Sequence, residues 1–244
     1  MEKVKLYQKS IEIEFDPEKH IYRLNGEKLI SVTAITSQID KSRALIPWAI
    51  KLMRLFITEA WDVTKKITEE EKLQIIEDGA KQHRIRKQEA ADTGTQAHEW
   101  AESWIKGEEP EIPDDERVRN CVISFLKWVK DSGIKLKTSE RIVYSKKHNY
   151  VGILDADGKI KKDNIIVDFK SSNGIYPEMF FQVSGYWKAA EEESKVEYQR
   201  GYIVQFGKDS GEFNVKEISR EENEKNFKAF LGALAIKRRL DEIK

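Results

Sequence analysis

Val151-Gly152-Ile153-Leu154-Asp155, then twelve residues, then Asp168-Phe169-Lys170, with Gln182 and Tyr186 downstream, is the stretch that decides the fold. Both acidic segments read as strands, because each is a short run of branched and aromatic residues bounded by turn signals. Lys170 lies two residues from Asp168, and side chains alternate along a strand, so both project to one face. Asp155 and Asp168 offer hard oxygen donors, which suit Mg²⁺ or Mn²⁺ better than softer metals. Two carboxylates and a lysine on neighbouring strands can hold a divalent cation beside a phosphodiester. The lysine is then free to orient a water or neutralise phosphate charge. An ion pair at a strand end would account for Lys170 and one aspartate, but here several titratable residues converge.

Outward from this core the pattern alternates. Upstream, a helix carries Gly94-Thr95-Gln96-Ala97-His98-Glu99-Trp100-Ala101-Glu102. His98 and Glu102 are four residues apart and share a helix face, where an imidazole can serve as a metal ligand and a carboxylate can fix its tautomer. A second helix runs from about Asp115 to Asp131, with Asp114 after Pro113 as its expected N-cap. Strands are expected over Ser139–Tyr144, Tyr150–Ile160 and Ile165–Lys170, the last after a Lys162-Asp163-Asn164 turn. Pro177 opens a helix bearing Gln182 and Tyr186; Tyr202–Phe206 and Glu212–Ile218 form a hairpin; Ser219-Arg220-Glu221-Glu222 caps a final helix. Near the N-terminus, Ile11, Ile13 and Phe15 alternate with acids and Asn25-Gly26 is a hairpin turn, with strand signals continuing to residue 36. Residues 43–91 read as helical, with Trp48, Leu52, Leu55 and Phe56 as a core-facing stripe, and Thr68-Glu69-Glu70-Glu71 as a capping box. The order implies an α/β sandwich: a central mixed β-sheet flanked by helices, with an N-terminal hairpin and a helical arm. No linker or repeat divides the chain, so one domain is expected over 1–244: elaboration over 1–92, core over 93–218, C-terminal helix over 219–244.

Composition narrows the class. The chain has 244 residues, 39% hydrophobic and 35% charged, and no apolar run approaches a membrane span. Without a secretory or transit-like N-terminal segment, a cytoplasmic location is expected. The single cysteine, Cys121, excludes an internal disulfide, a thiolate zinc site and an iron–sulfur cluster held by this chain alone. Its helical setting suggests a buried small hydrophobe. Lys plus Arg equals Asp plus Glu at 43 each, so no global positive field draws in nucleic acid. Local basic groups remain, among them Lys81, Arg84, Arg86 and Lys87, and Lys135, Lys137, Arg141, Lys146 and Lys147. Each reads first as a solvated face.

The ordered set His98, Gly152 with Asp155, Asp168-Phe169-Lys170, and Gln182 with Tyr186 resembles the PD-(D/E)xK nuclease superfamily. Within it the set is similar to the branch holding RecB-type domains, phage exonucleases and mitochondrial genome maintenance exonuclease. The likeness covers residues 93–206, and Ser31-Val32-Thr33-Ala34-Ile35 resembles a segment of phage members. It implies a restriction-endonuclease-like fold, with His98, Asp155, Asp168 and the main-chain carbonyl of Phe169 as metal ligands and Lys170 positioning the water. It further implies that Gln182 and Tyr186 order the site, and that Ser171, Ser172 and Tyr186 contact DNA. Glu102 and Glu140 read as surface charges, with a supporting or extra-ligand role as the alternative. Leu154 stands where the superfamily has its proline, and the literal Pro113-Asp114 pair is a helix start.

The implied activity is Mg²⁺- or Mn²⁺-dependent hydrolysis of DNA to 5′-phosphate products, with exonucleolytic action on single-stranded ends in replication, recombination, repair or phage DNA processing. The helical region 43–91 is expected to restrict access to a strand end. A structure-selective endonuclease and a catalytically silent DNA-binding recombination accessory protein are the alternatives. No nucleotide phosphate loop is present, so coupling to ATP would fall to a helicase or recombinase partner.

Overall fold

The structure, a computed structural model, describes residues 1–61 and 66–243. The helical expectation over 43–91 includes residues 62–65, which lie outside the described residues. The chain divides into two compact units, Met1–Ile39 with Gln96–Lys244, and Asp40–Thr95.

The first unit begins with an antiparallel meander of β1 (Glu2–Leu6), β2 (Ile11–Asp16), β3 (Ile21–Leu24) and β4 (Glu27–Lys28). The alternation in β2 sends Ile13 and Phe15 inward against Tyr22. Asn25 and Gly26 take φ of 52° and 84° between paired Leu24 and Glu27. Two left-handed residues are what a tight two-residue hairpin needs, because they match the twist of the strands. The sequence reading missed β1, whose apolar residues are only Val4 and Leu6; pairing to β2 supplies what its own pattern lacks. After β5 (Ile30–Ser31) comes α1 (Val32–Thr36), where strand had been expected. The branched residues 32–36 have β propensity, but the Ser31 hydroxyl accepts the Ala34 N–H at 3.1 Å and starts a helical turn instead.

The second unit contains α2 (Ser42–Ala60) and the first part of α3 (Glu69–Ile105), which continues into the first unit. Thr68 and Glu71 form the expected capping box: Glu71 N donates to Thr68 Oγ1 at 3.2 Å, and Thr68 N donates to Glu71 Oε2 at 2.7 Å. The expected core stripe on α2 is a correction: none of Trp48, Leu52, Leu55 and Phe56 is buried, and Leu55 is 49% exposed. Periodicity orients an apolar face but does not provide a partner surface to cover it.

The rest of the first unit comprises α4 (Glu116–Ser132), β6 (Lys135–Ser145), β7 (Tyr150–Ile160), β8 (Asp163–Lys170), α5 (Pro177–Ser194), β9 (Arg200–Phe206), β10 (Phe213–Ser219) and α6 (Arg220–Glu242). Asp115, not Asp114, caps α4 by accepting the Val118 N–H at 2.9 Å. The β7–β8 turn is Lys161-Lys162, one residue earlier than expected, since Ile160 pairs with Asp163. The strands form a mixed sheet in the order β10-β9-β8-β7-β5, with β6 on β7. Helices α1, α5 and α6 cover one side, burying Val183, Trp187 and Phe230 against Leu154, Ile166 and Ile203. On the other side α4 and the end of α3 bury Trp100, Cys121, Phe125 and Trp128 against Val167, Phe169 and Val204. This is the expected restriction-endonuclease-like sandwich. The N-terminal meander packs on Ile142, Tyr144 and Val151. No described helix is long and apolar enough to cross a membrane.

One feature of the sheet positions the site. Along one edge β7 pairs with β6 from Tyr150 to Leu154 and again from Ala156 to Lys159. On its other edge it pairs with β5 only at Tyr150 and Val151, and with β8 only from Ala156 to Ile160. Between these, Gly152–Asp155 has no strand partner on that edge among the described residues, and the sheet forks. A polar network ties β6 and β7 to α5. Arg141 reaches Asp157 at 3.3 Å and Glu193 at 3.2 Å, and the Tyr198 hydroxyl donates to Asp157 at 2.7 Å.

Replacing Arg141 strands the mostly buried Glu193 and takes the charged partner from Asp157, which keeps the Tyr198 and Thr138 hydroxyls, so Arg141→Ala should cost about 3 kcal/mol. Urea unfolding checks this as a lower midpoint at unchanged slope, and an unchanged midpoint would contradict it.

Candidate active site

The fork opens a pocket of about 220 Å³ lined by His20, Thr33, His98, Glu140, Gly152, Ile153, Asp155, Lys170, Gln182 and Tyr186. Its floor is set by alternation on β8. Ile165, Val167 and Phe169 face α4, so Asp168 and Lys170 face the opposite side. Phe169 anchors the strand by stacking on Phe206 at 5.3 Å and meeting Phe125 and Trp128 edge-on at 5.6 and 6.0 Å. It also holds the His98 ring edge-on at 6.2 Å. Across the fork the Phe169 N–H donates to Asp155 Oδ2 at 2.7 Å, so a side chain takes a main-chain donor. This N–H is a different group from the Phe169 main-chain carbonyl that the family resemblance implies as a metal ligand.

Glu140 is the residue that sequence reasoning underweighted. Ser139 pairs with Ala156 and Arg141 with Leu154, which places Glu140 opposite Asp155. Like charges in that relation repel. Glu140 also takes φ of 47°, a left-handed conformation that costs a non-glycine residue roughly 1–2 kcal/mol. His98 Nδ1 sits between the two carboxylates, 3.8 Å from Glu140 Oε1 and 3.9 Å from Asp155 Oδ2. Ligand atoms of His98, Glu140 and Asp155 lie within 4.8 Å of one another.

Asp168 is fully buried. Lys170 Nζ approaches its Oδ2 at 2.5 Å as an ion pair without hydrogen-bond alignment, while Oδ1 has no partner. Burial raises the Asp168 pKa to about 6 against the pull of Lys170, with the Asp155 charge adding to the rise. Burial likewise raises Asp155, and Glu140 adds to it, although His98 and Lys170 oppose both. For Lys170 burial works toward neutrality, but the charges of Asp168 and Asp155 prevail and the ammonium is held more firmly than usual. Burial also favours neutral His98, yet Asp155 and Glu140 outweigh it and raise the imidazole pKa.

Gln182 Nε2 donates to the Tyr186 hydroxyl at 2.9 Å, as their four-residue spacing allows. Burial, with Asp168 and Asp155 nearby, pushes the Tyr186 pKa well up, so the phenol keeps its proton. Its ring fits because position 152 is glycine: a Cβ there would lie 2.5 Å from Tyr186 Cε1. The other expected residues stand apart. Glu102 pairs with Lys106 at 2.6 Å. Ser171 and Ser172 follow Lys170 but do not line the pocket, and the Ser172 hydroxyl donates to the Gly174 carbonyl at 2.7 Å. Sequence reasoning missed His20 and Thr33 as pocket residues, since no spacing links them to the motifs.

The residues fit a divalent cation. His98 Nδ1 lies 3.8 and 3.9 Å from the Glu140 and Asp155 oxygens, separations that two ligand bonds of about 2.1 Å can span, and the buried Asp168 Oδ1 is left without a partner. An imidazole among oxygens also admits Mn²⁺.

No protein-family model matches the chain, and no curated protein matches it. Among solved structures it is similar to an alkaline exonuclease (LHK-Exo) from Laribacter hongkongensis. That likeness has 15% identity and a TM-score of 0.29, over 50% of this chain and 70% of that one. It is also similar to LHK-Exo in complex with dAMP, with 14% identity and a TM-score of 0.32 over 80% of this chain and 97% of that one. At these scores the likeness carries no statement about chemistry.

Two outcomes follow from the electrostatics. Asp168 titrates at about 6 when folded against an ordinary 3.8, so the folded state holds its proton more tightly than the unfolded chain. Its contribution to stability is complete below the unfolded value and lost as pH rises through about 6. In chelator, the wild type should therefore lose more stability than Asp168→Asn between about pH 5 and about pH 8, by on the order of 2 kcal/mol; parallel curves would contradict this. Separately, Asp155→Asn keeps an acceptor for the Phe169 N–H and removes a charge facing Glu140. Without metal its Tm should rise by about 2–4 °C, while the stabilisation by added Mn²⁺ disappears; a lower Tm would contradict the repulsion.

Proposed function

We propose that this protein is a metal-dependent nuclease of the PD-(D/E)xK superfamily that hydrolyses DNA phosphodiester bonds. The observation that carries the reading is the convergence of His98, Glu140 and Asp155 beside the buried Asp168–Lys170 pair. In this reading His98, Glu140 and Asp155 would hold a Mg²⁺ or Mn²⁺ ion, and Asp168, which lies outside that set, would offer its unpartnered Oδ1 as a further ligand. When bound, the cation supplies positive charge at the phosphoryl oxygens and the departing oxygen. Lys170, protonated and fixed by Asp168, uses its remaining protons to orient the attacking water. Tyr186 donates its hydroxyl proton toward a phosphate oxygen, and Gln182 fixes that hydroxyl. The walls formed by Ile153 and Tyr186 shield the reacting centre from bulk water. The further reading is exonucleolytic action on single-stranded ends.

A labelled single-stranded oligodeoxynucleotide should be degraded with Mg²⁺ or Mn²⁺, not with chelator, and Lys170→Ala should lower kcat by at least about 100-fold. Binding without cleavage under either metal would favour the silent accessory reading. A closed single-stranded circle should survive; its uniform cutting would establish an endonuclease instead. Gly152→Ala should displace the Tyr186 ring and lower kcat at least about tenfold, with metal binding retained; wild-type kcat would remove Tyr186 from the mechanism.

A further inference from the structure

We infer that His20 and Thr33 form a phosphate-binding position on the rim of the pocket, taking the backbone phosphate next to the one being cleaved. The inference rests on the nuclease reading of the site and extends it to two residues to which that reading gives no role.

At about 220 Å³ the pocket is smaller than the roughly 300 Å³ at which pockets begin to enclose a whole small ligand. It therefore takes in one reacting phosphodiester and leaves the adjoining phosphates of the strand at its mouth. Those phosphates meet an unfavourable field, since Glu140, Asp155 and Asp168 are all acidic. A neighbouring phosphate needs a donor set of its own. Among the pocket's donors, Lys170 is committed to Asp168, His98 stands between Glu140 and Asp155, and Gln182 donates to Tyr186. The lining groups outside this set that carry a donor side chain are His20 and Thr33.

Both are held in place. His20 takes φ of 52°, at a turn where glycine or asparagine would be less strained. Its ring meets Phe15 and Tyr22 edge-on at 5.6 and 5.5 Å. Nε2 lies 3.1 Å from the hydroxyl of Tyr22, a residue that is itself 1% exposed. With that hydroxyl as donor, Nε2 accepts and Nδ1 carries the proton, and Nδ1 has no partner among the described residues. Thr33 Oγ1 is 3.0 Å from Ser31 Oγ, which also accepts the Ala34 N–H. When Ser31 donates to Thr33, the Thr33 proton points elsewhere and is available to a phosphate oxygen. A strained, tethered histidine with an idle donor beside a metal-binding pocket is an arrangement that packing alone does not require.

The test uses the full chain and an oligodeoxynucleotide series in which one phosphate at a time is replaced by an uncharged methylphosphonate. His20→Ala and Thr33→Val should each raise KM, His20→Ala by about tenfold, with kcat falling no more than about twofold. His20→Asn tolerates the left-handed backbone and keeps a donor, so it should recover most of the loss. A methylphosphonate at the phosphate adjoining the cut should weaken the wild type and leave His20→Ala unaffected. KM within twofold of wild type for both variants, or equal penalties at every position in wild type and variant, would overturn the inference. If the wild type cleaves nothing, fluorescence anisotropy with the same oligonucleotides separates the two claims. Weaker binding by His20→Ala, focused at one phosphate, keeps the phosphate position while the nuclease reading falls; no difference in binding overturns the phosphate position as well.

Discussion

The fork in the sheet gathers negative charge at one point, and the rest of the site answers that concentration. Where β7 leaves β8, Asp155 faces Glu140 across one edge, and Asp168 lies nearby with no solvent exposure. The Asp155 charge raises the cost of ionising Asp168, and the Glu140 charge raises that of Asp155. The chain compensates in part, with Lys170 against Asp168, His98 between Asp155 and Glu140, and the Phe169 N–H on Asp155. Yet Asp168 Oδ1 has no partner and Glu140 occupies a strained backbone conformation. A divalent cation held there would relieve the repulsion and offer Asp168 Oδ1 a partner.

That concentration is held by apolar packing on both sides. Phe169, flanked by the two charged residues of its strand, points away from them into a nest of Phe125, Trp128 and Phe206. Slippage of β8 by one residue would exchange the aromatic ring for the charged pair, so the aromatic nest fixes the register that keeps Asp168 and Lys170 in the site. On the other side the bare backbone of Gly152 lets Tyr186 lie against β7 and carry Gln182 with it.

Much of this was legible in the sequence. Alternation in Asp168-Phe169-Lys170 and the four-residue spacing of Gln182 and Tyr186 each point to the face the structure shows. The same spacing of His98 and Glu102 does not, since Glu102 pairs with Lys106. Glu140 was legible in principle: the connection Lys146–Asn149 sets Ser145 opposite Tyr150, and counting back five residues on each side brings Glu140 to Asp155. Periodicity did not reveal this, because Glu140 and its neighbours lack a clean alternating pattern. His20 and Thr33 were not legible, since His20 reaches the pocket through the packing of the N-terminal meander on β6 and β7, and Thr33 through the pairing of β5 with β7 just before α1. The α1 turn and the incompletely buried α2 stripe departed from expectation for a shared reason: propensity and pattern describe a segment alone, while a cap or the extent of its packing decides its fate.

The central claim is that His98, Glu140 and Asp155 together hold a divalent cation beside Lys170. Titrating Mn²⁺ into the metal-free protein and following the free ion by electron paramagnetic resonance tests it directly, with Glu140→Gln alongside. The expected result is depletion of the free-ion signal by the wild type at stoichiometric protein, with affinity weakened at least about tenfold in the variant. A wild type that leaves Mn²⁺ free, or a variant that binds it equally well, would contradict the claim.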